Sequence, residues 1–217
     1  MIKAIIFDLD DTLIQTSRAK YSAIKHAGKT FYDLEINDHE IKSHWGKPFE
    51  LFMKDLFGGI DETEKIISNY YSIRNDFPTP SYPGTHETLV NLKNKFLLGI
   101  VTAATRHMAI EDLGIAKLDH KIFDYIQTSE DTDFHKPDPK VFSPIVAKFQ
   151  DIGIANNELL YVGDSLNDYH AAAGAQIRFV ALADRTTPSS DFDKNNIKSV
   201  KEIQELAKLI IDENATI

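Results

Sequence analysis

The chain opens on an apolar run, Ala4-Ile5-Ile6-Phe7, that stops abruptly in Asp8-Leu9-Asp10-Asp11-Thr12. Four further apolar runs bounded by turn signals, at residues 96–103, 125–128, 159–163 and 178–183, read as buried strands. Helical patterns lie between them, at residues 87–94, 106–113 and 168–173. Strands alternating with helices predict an α/β fold built on a parallel sheet covered on both faces. Sheets of this kind bind ligands beyond the carboxyl ends of their strands.

From about residue 15 to 80 the rhythm changes. Ala19, Ala23 and Ala27, then Leu51, Met53, Leu56 and Phe57, then Ile66, Ile67, Tyr70 and Tyr71 recur at helical intervals, and no strand-like run intervenes. The exit, Phe77-Pro78-Thr79-Pro80-Ser81-Tyr82-Pro83-Gly84, is Pro-rich and reads as a stiff linker. The predicted organisation is therefore a core made of residues 1–14 and 81–217, with residues 15–80 as a helical insertion after the first strand. Such an insertion can act as a lid over the carboxyl edge of the sheet. Residues 200–211, with Ile203, Leu206, Leu209 and Ile210 on one stripe, read as a closing amphipathic helix.

Composition narrows what the sheet edge can serve. With 217 residues, 42% hydrophobic and 26% charged, the chain has ordinary globular composition. A formal charge of -9 argues against a nucleic-acid partner. The absence of cysteine removes disulfides and thiolate metal sites. Met1-Ile2-Lys3 leads straight into the first strand, and no apolar run approaches membrane-spanning length. A cytoplasmic protein that engages neither membrane nor nucleic acid is the expectation.

The acids at the strand ends are the chemistry. Asp8 belongs to the apolar run, and unpaired burial of a carboxylate is costly. Asp8 and Asp10 fall on one face if the extended conformation persists between them. Two such charges a few ångströms apart repel by about 4 kcal/mol at an effective dielectric near 20, which one proton or one divalent cation would remove. Gly163-Asp164-Ser165-Leu166-Asn167-Asp168 places a second acidic cluster at another strand end, with Asp164 and Asp168 one helical turn apart if a helix starts near Ser165. Oxygen ligands without clustered His suit magnesium. Thr102, with the backbone N–H groups that follow it from Ala103 onward, could hold a phosphate oxygen at a helix N-terminus. Lys136, just before Pro137-Asp138-Pro139, would oppose the dipole of the helix predicted there unless it reaches anionic partners such as Asp8 and a bound phosphate. Pro144 predicts a kink or a late start in that helix.

In order, DLDDT at 8–12, Thr102, Lys136 within HKPDP, and GDSLND at 163–168 resemble the four motifs of the haloacid dehalogenase superfamily. The resemblance spans the core and makes the insertion look like the family's small cap. It implies a Rossmann-like core and a magnesium-dependent aspartyl-phosphate mechanism. By that resemblance, Asp8 is the nucleophile and a metal ligand, and Asp10 is the general acid and base whose carbonyl also meets the metal. Thr102, Ala103 and Lys136 bind the phosphoryl group, Asp164 coordinates magnesium, and Asp168 supports the metal shell. Asp10 separates this chain from the dehalogenase branch, which lacks an acid two residues after the nucleophile. Ala103 departs from the Asn that many relatives carry after the second-motif hydroxyl.

His44-Trp45-Gly46-Lys47-Pro48 looks like the family's substrate loop within the cap. Trp45, Lys47 and, beside the second motif, Arg106 are therefore candidates for substrate choice. The implied function is hydrolysis of a small phosphorylated metabolite, such as phosphoglycolate, a sugar phosphate, a nucleoside monophosphate or pyrophosphate. A phosphomutase of the same superfamily and a catalytically idle metabolite-binding protein are the alternatives.

Overall fold

The computed structural model describes residues 1–44 and 49–215. The chain divides into two compact units, Met1–Gln15 with Pro80–Ile217, and Thr16–Thr79.

The larger unit is a six-stranded parallel sheet. Its strands are β1 (Ala4–Phe7), β2 (Leu97–Val101), β3 (Tyr125–Gln127), β4 (Leu159–Gly163), β5 (Arg178–Leu182) and β6 (Ser199–Val200), in the spatial order β3-β2-β1-β4-β5-β6. With α1 (Thr16–Tyr32), α2 (Asp38–His44), α3 (Phe49–Leu56) and α4 (Thr63–Arg74) in the smaller unit, the larger one carries α5 (Thr85–Lys93), α6 (Arg106–Ile115), α7 (Ser143–Gln150), α8 (Leu166–Gly174), α9 (Ser189–Lys194) and α10 (Glu205–Ala215).

Strict alternation decides which side each strand residue covers. Ile5, Phe7, Leu98, Ile100, Leu160 and Val162 pack with Leu89 and Leu92 of α5, Leu113 of α6 and Leu206 of α10. Ala4, Ile6, Leu159 and Tyr161 point the other way, against Phe142, Ile145, Phe149, Ala171 and Ala172. Both faces are thus buried, so the strands read as continuous apolar runs. At about 25 cal/mol per Å² of apolar surface, each large side chain hidden this way contributes roughly 1.5–3 kcal/mol.

Register brings the strand ends together. Phe7 lies opposite Ile100 on one side and Val162 on the other. The Asp8 N–H continues the ladder onto the Val162 carbonyl at 2.9 Å. Asp8, Thr102 and Asp164 therefore leave the sheet at the same edge, within one or two residues of the last paired positions.

Four local expectations need correction. The strand does not persist to Asp10: β1 ends at Phe7, and Asp11 turns the chain with φ 54°. Lys136 does not precede a helix directly; a 3₁₀ turn at Pro139–Phe142, capped by Asp138, comes first, and α7 starts late at Ser143 with Pro144 in its first turn. The opposing dipole expected at Lys136 therefore does not arise. Thr102 is not at a helix N-terminus either, because Thr105 caps α6 by accepting the Met108 N–H. In the tail, Val200 belongs to β6, so the helix begins only at Glu205.

Every regular element among the smaller unit's described residues is a helix, and its core includes Ala23, Ile24, Ile41, Phe52, Met53, Phe57, Ile66 and Tyr70. Helices α1 and α4 pack together, as do α3 and α4. Trp45 and Lys47 lie outside the described residues.

Candidate active site

Lys136 is the hub of the sheet edge. Its ammonium lies 3.0 Å from Asp8 Oδ1 and 2.7 Å from Asp168 Oδ1, and donates to the Tyr161 hydroxyl at 2.9 Å. Both acids are buried, and Lys136 itself is largely so. Burial works against a lysine cation, but Asp168 and Asp8 more than offset it and raise its pKa.

Asp168 is held from every side. Lys136 and Tyr161 donate to Oδ1, while the Ser165 N–H and hydroxyl donate to Oδ2 at 3.0 and 2.5 Å. The Ser165 hydroxyl in turn accepts the Asp168 N–H, which closes a capping box at the start of α8. Burial raises the Asp168 pKa, but Lys136 and these donors outweigh it and the net shift is downward. This carboxylate approaches through space that only glycine leaves open. A Cβ on Gly163 would meet Asp168 Cγ at 2.6 Å. Gly163→Ala is accordingly expected to destabilise the fold by about 1–3 kcal/mol through overpacking. A denaturant midpoint unchanged from wild type would contradict that.

Asp164 is oriented by two threonines. The Thr12 hydroxyl donates to Oδ1 at 3.1 Å, and the Thr186 hydroxyl donates to Oδ2. Beside them, Arg185 donates to the carbonyls of Thr12 and Asp11 and stacks 3.7 Å over the Tyr82 ring. Asp8 accepts the Leu9 N–H at Oδ1, 2.8 Å away, and its Oδ2 receives no hydrogen bond among the described residues.

Oxygen atoms of Asp8, Asp164 and Asp168 lie within 4.8 Å of one another. Lys136 supplies one positive charge to these three acids, so negative charge remains in excess. Burial, then the charges of Asp168, Asp164 and Asp10, push Asp8 well above the carboxylate range against the pull of Lys136. Burial and Asp168 raise Asp164 to about 7. The set fits a hard divalent cation. Because the four acceptor positions of Asp168 are already taken by protein donors, Asp8 and Asp164 are the carboxylates available to hold it directly.

The raised values carry a stability consequence. With Asp164 near 7 when folded and 3.8 when unfolded, the native state binds the extra proton between those values, so stability falls as pH rises through that window. The shift corresponds to roughly 4 kcal/mol for Asp164 alone. Acids lowered by folding, such as Asp168 and Asp184, contribute fully above their unfolded value and do not mask the fall. Metal-free protein should melt lower at about pH 7 than at about pH 5, and magnesium should raise the melting temperature more at the higher pH. A metal-free melting temperature that climbs across this interval would refute the assignment.

A small, partly open cleft brings together Thr102, Ala103 and Lys136, with Ser129, Thr132 and His135 on its walls. Thr102 is buried, and its hydroxyl accepts the Ala104 N–H at 3.1 Å. Asp10 is half-buried and near enough for its charge to be felt at Asp8. Arg106 is not gathered to the carboxylates; its guanidinium pairs with Asp131 at 2.8 Å and donates to the Ile126 carbonyl. Tyr161, Arg185 and Thr186 join the site from outside the four motifs. A phenol amid an apolar strand, and a polar turn after β5, were the available signals.

The family model for haloacid dehalogenase-like hydrolases matches residues 5–182, most of the chain. The chain belongs to this family. Among the similar relatives of this haloacid dehalogenase-like hydrolase is a protein of Clostridium perfringens provisionally named pyrophosphatase PpaX, 34% identical over 193 residues, covering 84% of this chain and 86% of the relative. Pyrophosphatase PpaX of Oceanobacillus iheyensis is 32% identical over 191 residues, covering 84% of each. A solved structure from Thermotoga maritima, provisionally assigned as a β-phosphoglucomutase, superposes with a TM-score of 0.82 at 19% identity over 97% of this chain and 99% of that one, a likeness of fold. The haloacid dehalogenase-like chain is thus an enzyme of the phosphohydrolase kind, with a buried acidic group able to hold a metal. No helix among its described residues is long and apolar enough to cross a membrane.

Proposed function

We propose that this chain is a magnesium-dependent phosphohydrolase acting on a small phosphorylated metabolite through an aspartyl-phosphate on Asp8. One observation supports it above the others: Lys136 joins Asp8 to Asp168 while Asp164 stands beside them with an elevated pKa. Thr102, Lys136 and the backbone at Ala103, which line one cleft, bind the phosphoryl oxygens. Asp8 attacks phosphorus, and the bond to the leaving oxygen breaks as Asp10 gives that oxygen a proton. Water then attacks the same phosphorus with Asp10 taking its proton, the bond to Asp8 breaks, and inorganic phosphate leaves. Asp8, Asp164 and the Asp10 carbonyl would hold magnesium, which when bound would neutralise the charge that these acids and the phosphoryl group bring together. Asp168 serves by anchoring Lys136. We read Thr16–Thr79 as the cap unit of the family.

Inorganic pyrophosphate is the first substrate to try, given what the two PpaX relatives are named for. Phosphoglycolate, sugar phosphates and nucleoside monophosphates complete the panel. Phosphate release from at least one of these, dependent on magnesium and abolished by EDTA, is the expected result. Failure of the whole panel and of p-nitrophenyl phosphate at saturating magnesium would reject the reading.

A further inference from the structure

We propose that Tyr161 is a positioning residue of the phosphoryl-transfer site, aiming the Lys136 ammonium through a neutral hydroxyl placed between Lys136 and Asp168. The inference rests on the reading of Lys136 as a phosphoryl ligand.

The geometry is a closed exchange of hydrogen bonds. An ammonium has three N–H donors, and here they meet Asp8 Oδ1, Asp168 Oδ1 and the Tyr161 hydroxyl at 3.0, 2.7 and 2.9 Å. The hydroxyl passes its own proton to Asp168 Oδ1 at 3.0 Å. Two of the three partners are anions that pull the cation strongly; the third is a dipole that fixes direction without adding charge. Removing it frees the ammonium to swing about its two ion pairs and settle more tightly on Asp8. The N–H resting on Asp8 is the one a phosphoryl oxygen takes over on entering; an ammonium drawn more tightly onto Asp8 gives it up less readily, which weakens phosphate binding and ties up the nucleophile.

The fold invests in this hydroxyl. Tyr161 is fully buried on β4, two residues before Gly163, where its alternation partner on the same face, Leu159, is purely apolar. Its ring is clamped edge-on by Phe142 at 4.7 Å and leaned on by Phe179 at 6.1 Å. Apolar packing at this site would be satisfied by phenylalanine. Only the oxygen requires tyrosine, and it accepts from the Lys136 ammonium at 2.9 Å.

The test is Tyr161→Phe in the full chain, which keeps the ring and its packing, so the protein should stay folded with a melting temperature lowered only by the two lost hydrogen bonds. Loss of one hydrogen bond to a charged group should weaken inorganic phosphate binding, measured by calorimetry with magnesium, on the order of 10-fold, and lower kcat/KM for p-nitrophenyl phosphate by a similar factor. In a Lys136→Met background the same change should have no further effect, because its target is gone. Wild-type phosphate affinity and kcat/KM in Tyr161→Phe would overturn the inference, as would an equal loss in both backgrounds. A wild-type protein that neither binds phosphate nor hydrolyses an ester would instead bring down the functional reading on which the inference stands.

Discussion

Asp8→Asn is expected to abolish turnover, by on the order of 10⁴- to 10⁶-fold, while leaving the protein folded and, without metal, more stable than wild type. The rate loss follows from chemistry: an amide oxygen has no charge to bring to phosphorus, and no covalent intermediate forms. The gain in stability follows from electrostatics. Burial first, and then the charges of Asp168, Asp164 and Asp10, push the Asp8 pKa well above the ordinary range against the pull of Lys136. An uncharged group of the same shape escapes that repulsion, and Lys136 keeps Asp168 at 2.7 Å as its counterion. Magnesium should stabilise the variant less than wild type, since one of its direct ligands is neutral. Rapid acid quench would trap a phosphorylated wild-type protein but an unlabelled variant. Residual activity above about one per cent of wild type, or a sharply lowered metal-free melting temperature, would remove Asp8 from the role assigned to it.

How much of this was legible before any coordinates depends on the physics of each residue. Strands buried on both faces announce themselves as apolar runs, which is why β1, β2, β3, β4 and β5 stood out. β6, two residues long, carries no pattern to detect. Buried charges at strand ends are equally conspicuous, because a carboxylate adjoining Ile and Phe demands a reason. Local geometry was less readable. The capped 3₁₀ turn after Lys136 and the N-cap at Thr105 depend on side-chain to backbone bonds that a Pro or a Thr signals only loosely. Tyr161 was hidden for a different reason: aromatic residues fill buried strands for packing alone, and nothing in the sequence says where a phenol oxygen ends. Thr186 depends on a loop 22 residues beyond Asp164 folding back onto it. Arg106 looked available beside the second motif, but Asp131 claims it.

Asp10→Asn should slow the reaction by about 10²- to 10⁴-fold, the range typical for loss of a positioned proton donor, with a dependence on the leaving group that Asp8→Asn lacks. An alkoxide leaves phosphorus poorly unless it is protonated as the bond breaks, so an alkyl phosphate should lose both steps. p-Nitrophenolate departs as a stable anion and needs little help. With that substrate the first step should survive in the variant, while hydrolysis of the Asp8 phosphate, which needs a base for the attacking water, remains slow. The expected signature is a burst of p-nitrophenol equal to the enzyme concentration, followed by slow turnover. Structure favours this division of labour. Asp8 is tied to Lys136, whereas Asp10 lies past the end of the strand, half-buried, on a segment bridged to Ile14, with its charge felt at Asp8. A half-buried carboxyl two residues beyond Asp8 keeps access to solvent, as a group that protonates a leaving oxygen and then activates water requires. Equal slowing of alkyl and p-nitrophenyl esters, with no burst, would assign the proton transfers to another group.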